Sequence, residues 1–228
     1  FFFKLPAPPG ISTVSLGGGG GGYKGPAGAG PPLDGSGNLP RGAAAGSCVP
    51  RSSGMDVVRL LDVLRPHLEA CGAKWMLAGG FALAAWGSTR ATADLDLIVD
   101  DAPRDEVLRR IATEGFETLF DSEGFTNLLH PDPVLGRLDL IWVEGETSRR
   151  LFSAARERSL PGGTLERVPA PEHLVEMKVK AIRSRPTRVF RDGEDLRVLL
   201  GIEGIDQNAA REAFVRAGLV ELWNRLRP

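Results

Sequence analysis

The chain has 228 residues, 42% of them hydrophobic and 25% charged, with a formal net charge of −1, the profile of an ordinary globular protein of one or two domains. No apolar run approaches the ~20 residues that a membrane helix needs, and the opening FFFKLPAPPG lacks the apolar core of a secretory signal, so the cytoplasm is the expected compartment. Two cysteines, Cys48 and Cys71, and three scattered histidines, His67, His130 and His173, form no CxxC or HxxxH pair, which argues against a zinc site or a disulfide framework.

Composition changes near residue 55. Residues 1–54 hold 15 Gly and 8 Pro, including six consecutive glycines, and no period that could bury a face, so they are expected to be a disordered tail. The chain begins with Phe, and Met55 opens the first periodic segment, so the tail reads as a mis-assigned upstream start or a fragment's edge. Residues 55–228 carry 24 Lys and Arg against 28 Asp and Glu and are expected to form one domain, with a sheet region over about 55–145 and a helical lobe over about 146–228.

Val57, Leu60, Leu61, Leu64 and Leu68 predict a first helix, with Pro66 expected to kink or end it. KWMLA (74–78) reads as a buried strand, broken by Gly79 and Gly80, with a short apolar helix starting around Phe81. Asp94 to Val99 reads as a second strand, and Asp101 is placed to cap a helix over 102–114. Short strands are expected at 116–120, 125–130 and 137–143, then helices at 147–158, 171–184, 192–200, 206–217 and 219–226. Strands mingled with helices and then helices alone predict an α+β fold, a mixed sheet carrying a helical C-terminal lobe.

The chemistry concentrates in LAGGFALAAWGSTRATADLDLIVDD (77–101). Residues two apart on a strand share a face, so Asp94 and Asp96 project together while Leu95 and Leu97 face the other way. A lone DxD also suits a wet edge strand. A third acid, Asp139 in GRLDLIWV (136–143), sits in the same kind of apolar strand, 43 residues after Asp96. Three converging carboxylates repel one another unless a cation lies among them, and an all-oxygen set selects Mg²⁺ or Mn²⁺ over zinc. That arrangement serves two-metal phosphoryl or nucleotidyl transfer.

A triphosphate also needs donors. Gly79 and Gly80, between strand and helix and 14 residues before Asp94, let backbone N–H groups approach a phosphate, although a GG pair also makes an ordinary tight turn. Arg90 and Thr92 alternate with Asp94 and share its side if the strand begins early; otherwise they lie in a solvated loop. Lys178 falls within the apolar arc of the helix opening at Pro171, where it either snorkels or aims its charge at the nucleotide's phosphates. From Lys178 to Arg191 there are six basic residues and no acid, a local field suited to polyphosphate or an RNA end, or a solvated face.

With GG, RxTxDxD and the distant Asp139, the sequence resembles the minimal nucleotidyltransferases of the DNA polymerase beta superfamily. Within them it is most similar to the bacterial abortive-infection type, which includes toxins of toxin–antitoxin systems. The likeness runs from about Trp75 to Leu200 and takes in PEHLVEMKVKAIRSRP and RDGEDLRVLL. The resemblance implies a nucleotidyltransferase-like fold and an enzyme that moves an NMP from an NTP such as ATP to a hydroxyl. It implies two Mg²⁺ (or Mn²⁺) on Asp94, Asp96 and Asp139, the last helping to deprotonate the acceptor, and a triphosphate held by Gly79 and Gly80. Lys178 would match the family's lysine, and Asp192 and Asp195 its late acidic pair. The implied acceptor is an RNA 3′ end, tRNA above all, or an antibiotic of lincosamide or aminoglycoside type, and the toxin relatives imply a cognate antitoxin. A non-catalytic binding module of the same fold is the alternative. Two positions depart from the pattern: Gly80 stands where many members have Ser, and Trp86 where related GG proteins often have His.

Overall fold

The computed structural model describes residues 55–160 and 163–227; the expectations placed on residues 1–54 lie outside that range. The described residues form fifteen elements apart from one 3-10 turn: α1 (Val57–Ala70), β1 (Trp75–Leu77), α2 (Gly79–Ala85), β2 (Asp94–Asp100), α3 (Arg104–Thr113), β3 (Glu117–Ser122), β4 (Phe125–Leu129), β5 (Arg137–Val143), α4 (Gly145–Ser153), β6 (Arg156–Ser159), β7 (Leu165–Val168), α5 (Pro171–Ser184), α6 (Val189–Leu200), α7 (Gln207–Ala217) and α8 (Val220–Leu226). The turn, Pro186–Arg188, joins α5 to α6.

The sheet has the order β1-β2-β5-β4-β3. β2 and β5 run parallel, and the other neighbours are antiparallel. It is therefore a mixed sheet flanked by helices, an α+β fold. Alternation along β2 and β5 divides its two faces. Leu95, Leu97 and Val99 with Leu138, Leu140 and Trp142 enter the large core, where they meet α1, α3 and the C-terminal helices. On the other face Ile98, Val143, Met76 and Ala78 pack with Leu151 and Phe152 of α4. That second face is apolar at one end only. Toward the start of β2 and β5 it carries Asp94, Asp96, Arg137 and Asp139 instead, beyond the cover of α4.

Three sequence expectations fail locally, each for a physical reason. α1 runs through Pro66 to Ala70. Burial of Leu60, Leu61, Leu64 and Leu68, each at most 1% exposed, at ~1.5–3 kcal/mol per side chain outweighs the ~3 kcal/mol cost of the proline. The helix expected over 147–158 ends at Ser153 and gives way to a hairpin of β6 and β7. All four β6 residues are exposed, so no alternation of apolar residues announces that strand. Asp101 does not cap α3, whose N-cap is Pro103 without a side-chain hydrogen bond; it lies 3.8 Å from Arg104 instead. Among the described residues no helix is long and apolar enough to cross a membrane.

Candidate active site

The pairing of β2 with β5 decides where the acids lie. Asp96 is the register partner of Asp139, and Asp94 that of Arg137. Adjacent strands run about 4.8 Å apart, and residues two apart on one strand about 6.6 Å, so all three aspartates share one small area of one face. Asn127 of β4 is the next register partner of Asp139, which extends the polar row across three strands.

Burial pushes the Asp96 carboxyl up to about 7, and the neighbouring Asp139 and Asp94 charges push it the same way. Burial likewise raises Asp139 to about 6, against the pull of the Asn127 hydrogen bond and the Arg137 charge. The nearby cations have other partners. Arg137 Nη2 donates to Asn127 Oδ1 at 3.1 Å, and Asn127 Nδ2 donates in turn to Asp139. Thr92 Oγ1 donates to Asp94 Oδ1 at 2.9 Å.

Gly79 and Gly80 sit against this group. Gly79 has φ +50°, and a Cβ there would lie 1.8 Å from Asp96 Oδ2. A Cβ on Gly80 would lie 2.5 Å from the Thr92 Cβ. The pair therefore has a steric reason beyond phosphate approach: it clears the space that Asp96 and Thr92 occupy. A serine at position 80 would collide with Thr92. α2 begins at Gly79 with no side-chain cap, which leaves its first N–H groups for a ligand or water.

Lys178 is the main departure from the sequence reading. Its ammonium does not point free into the cleft but donates to Asp192 Oδ1 at 2.8 Å and Asp195 Oδ2 at 2.6 Å. Arg188 Nε reaches Asp192 Oδ2 at 2.8 Å, and Arg90 Nε lies 3.4 Å from Asp195 Oδ1. Burial works to raise the Asp192 carboxyl, but Lys178 and Arg188 overcome it and hold it below the usual carboxylate range. This network ties α5 and α6 to the loop before β2, so Arg90 and Lys178 build the wall of the site. Removing one partner of such a buried cluster costs about 3–5 kcal/mol. Trp86 is also accounted for by packing: its Nε1 donates to Pro169 O at 3.0 Å, and the Arg158 guanidinium lies 4.2 Å over its ring.

A cavity of about 570 Å³ is lined by Gly80, Phe81, Ser88, Arg90 and Thr92 among others, within the usual range for a small-molecule site; the three aspartates are not in its lining, and Thr92, which bonds Asp94, connects the two. Three residues singled out in the sequence for nucleotide contact, Gly80, Arg90 and Thr92, line it together.

Does this site suit a divalent ion? The donors are carboxylate oxygens in excess of free cations, the set that hard Mg²⁺ or Mn²⁺ prefers. Among the described residues no three Asp, Glu, His or Cys side chains are already gathered as a ligand cluster. The reason is local: Asp94 turns toward Thr92, and Asp139 toward Asn127. The three carboxylates nonetheless share one face of the β2–β5 pair, and their all-oxygen chemistry fits the group.

No family model and no curated protein matches the sequence. Solved structures do match. The antibiotic-resistance factor ANT(2'')-Ia in solution superposes with a TM-score of 0.56 at 17% identity, over 75% of this chain and 99% of that one. Its crystal structure with adenylyl-2''-tobramycin gives 0.54 at 16% identity, over 74% and 98% of the two chains. The lincosamide antibiotic adenylyltransferase LnuA, lincomycin-bound, gives 0.50 at 15% identity, over 65% and 99%. The chain has the nucleotidyltransferase fold. At these identities the likeness is one of fold, and it extends across nearly the whole of each nucleotidyltransferase compared.

Proposed function

We propose that the chain is a Mg²⁺-dependent nucleotidyltransferase, moving an NMP from an NTP to a hydroxyl acceptor with release of pyrophosphate. The observation that carries this reading is the registry of Asp96 with Asp139, with Asp94 on the same face and a glycine at position 79 whose missing Cβ makes room for the Asp96 carboxylate. Asp94, Asp96 and Asp139 would hold two Mg²⁺, Mn²⁺ being the alternative, and the bound metal would neutralise polyphosphate charge and favour the ionised acceptor.

The chain's own residues account for the remainder. Asp139, fixed by Asn127, takes the acceptor's proton as the acceptor oxygen bonds to the α-phosphorus and the bond from that phosphorus to the β-phosphate oxygen breaks. The uncapped start of α2 at Gly79 and Gly80 offers N–H groups to the triphosphate, and the cavity along Gly80, Arg90 and Thr92 takes the nucleoside. Lys178 acts through its field and through the network that fixes Arg90.

In this reading the protein belongs with the abortive-infection type, acts in the bacterial cytoplasm on the 3′ end of a tRNA-like RNA, and has a cognate antitoxin as partner. The basic run from Lys178 to Arg191 supports the RNA acceptor. A second reading, an antibiotic as acceptor, is favoured by the fold likeness to ANT(2'')-Ia and LnuA.

Incubating the full chain with α-labelled NTPs, Mg²⁺, total tRNA, tobramycin and lincomycin separates these readings. Label is expected to move onto RNA, with ATP tested first. Label on an antibiotic establishes the second reading. No transfer, together with no Mg²⁺-dependent NTP binding, leaves a non-catalytic module and ends the proposal.

A further inference from the structure

Phe190, in the first turn of α6, is 90% exposed, whereas the other exposed large hydrophobic side chains of the described residues lie between 40% and 57%. Nothing in the packing of the described residues accounts for a bare phenyl ring. Its surroundings are basic: Arg185, Arg188 and Arg191 come from the 3-10 turn and the start of α6, within a run of six cations without an acid in an otherwise acidic domain. Asp192 follows immediately but is fully buried and already bonded to Lys178 and Arg188, so it does not cancel the surface field. That same clamp fixes the start of α6, and with it the direction in which Phe190 projects. Two residues on, Asp192 is bonded to Lys178, and one turn further Asp195 is bonded to Arg90, so α6 starts beside the wall of the candidate active site.

An isolated ring among arginines suits a ligand with a flat π face and phosphates on either side. A protein partner would call for a contiguous apolar area, and a membrane for several apolar residues along one helix face. Exposed neighbours on α6 are instead charged: Arg191, and Glu194, whose charge is met by Arg197 at 2.9 Å. Aromatic stacking with basic side chains tracking the backbone is how single-stranded nucleic acid is held without sequence preference.

We propose that Phe190, with Arg185, Arg188 and Arg191, is the platform on which unpaired bases near the 3′ end of an RNA acceptor stack. The proposal rests on the nucleotidyltransferase reading with an RNA acceptor and deepens it. The platform positions the strand so that its terminal ribose hydroxyl enters beside Asp139, while the arginines meet the phosphates. Arg188 has a structural bond to Asp192 as well, so the informative substitutions are at Phe190, Arg185 and Arg191.

The test is binding of a fluorescein-labelled single-stranded RNA of about 12 nucleotides to the full chain, read by anisotropy with Mg²⁺ and without NTP. Phe190→Ala is expected to weaken binding about 5- to 150-fold, the range for loss of one stacked base, while Phe190→Trp keeps it within about twofold. Arg191→Ala and Arg185→Ala should each reduce the slope of log affinity against log salt by about 0.7. Equal affinity of Phe190→Ala and the unsubstituted chain overturns the proposal, as does absence of RNA binding. A Phe190→Ala change seen only in sedimentation, with RNA affinity unaltered, makes the ring a self-association contact and overturns it too. RNA binding through Phe190 without label transfer to RNA would keep the stacking surface but overturn its role in presenting an acceptor. Label transfer to RNA unaffected by Phe190→Ala would overturn this proposal and leave the enzymatic reading standing.

Discussion

Asp139→Asn is expected to lower nucleotidyl transfer by about 10³-fold or more in single turnover, with the thermal midpoint unchanged or raised. The two consequences come from the same geometry. Asp139 faces Asp96 across the parallel pair, so replacing its charge by a neutral isostere removes repulsion from the folded state. The hydrogen bond from Asn127 survives, because an asparagine at 139 still presents a carbonyl oxygen to that amide. The fold therefore loses nothing, but the site loses both a proton acceptor and an anionic oxygen, and general-base catalysis alone contributes about 10²–10⁴-fold. Asp96→Asn should behave alike. Transfer retained within tenfold in either variant would show that the reaction does not run through this face of the sheet.

Gly79→Ala is expected to be nearly as damaging by a different route. A left-handed backbone such as φ +50° costs a residue with a Cβ roughly 1–2 kcal/mol. The added methyl would also stand 1.8 Å from Asp96 Oδ2, so either the carboxylate or the start of α2 must move. Displacement of a reacting group by about 1 Å costs on the order of 10² in rate, and overpacking adds about 1–3 kcal/mol of instability. Denaturant unfolding of Gly79→Ala in the Asp96→Gly background separates the two contributions: with the carboxylate gone, only the backbone cost of roughly 1–2 kcal/mol should remain. A cost undiminished in that background would mean that the contact with Asp96 is not what requires glycine.

Much of this site was legible in the sequence because its signals are local. Alternation placed Asp94 and Asp96 on one side of a strand, and the bounds expected for β5 and α5 match those observed. What could not be read is whatever depends on partners far apart in the chain. Nothing in the segments around Asp96 and Asp139 says that their strands are neighbours, that they run parallel, or that these two residues fall in register. Asn127 does not stand out in the sequence because a single amide in a short apolar strand carries no pattern; only its pairing with Asp139 reveals its role. Helical spacing shows Lys178 within an apolar arc, but its partners Asp192 and Asp195 lie beyond a turn, on another helix, and spacing within α5 cannot foretell them. The glycines were legible as a strand–helix break. Their closeness to Asp96 and Thr92 was not, since it depends on how α2 lies over β2.

In the proposed reaction three aspartates on one sheet face gather divalent metal beside a nucleotide. Paramagnetic resonance of Mn²⁺ titrated into the full chain, with an NTP analogue that cannot be cleaved between its α- and β-phosphates, tests it without requiring turnover or knowledge of the acceptor. Two bound Mn²⁺ per chain are expected in the presence of the analogue, with loss of at least one in Asp96→Asn. Mn²⁺ binding identical in the two proteins, or no Mn²⁺ held with the nucleotide analogue at all, would contradict it.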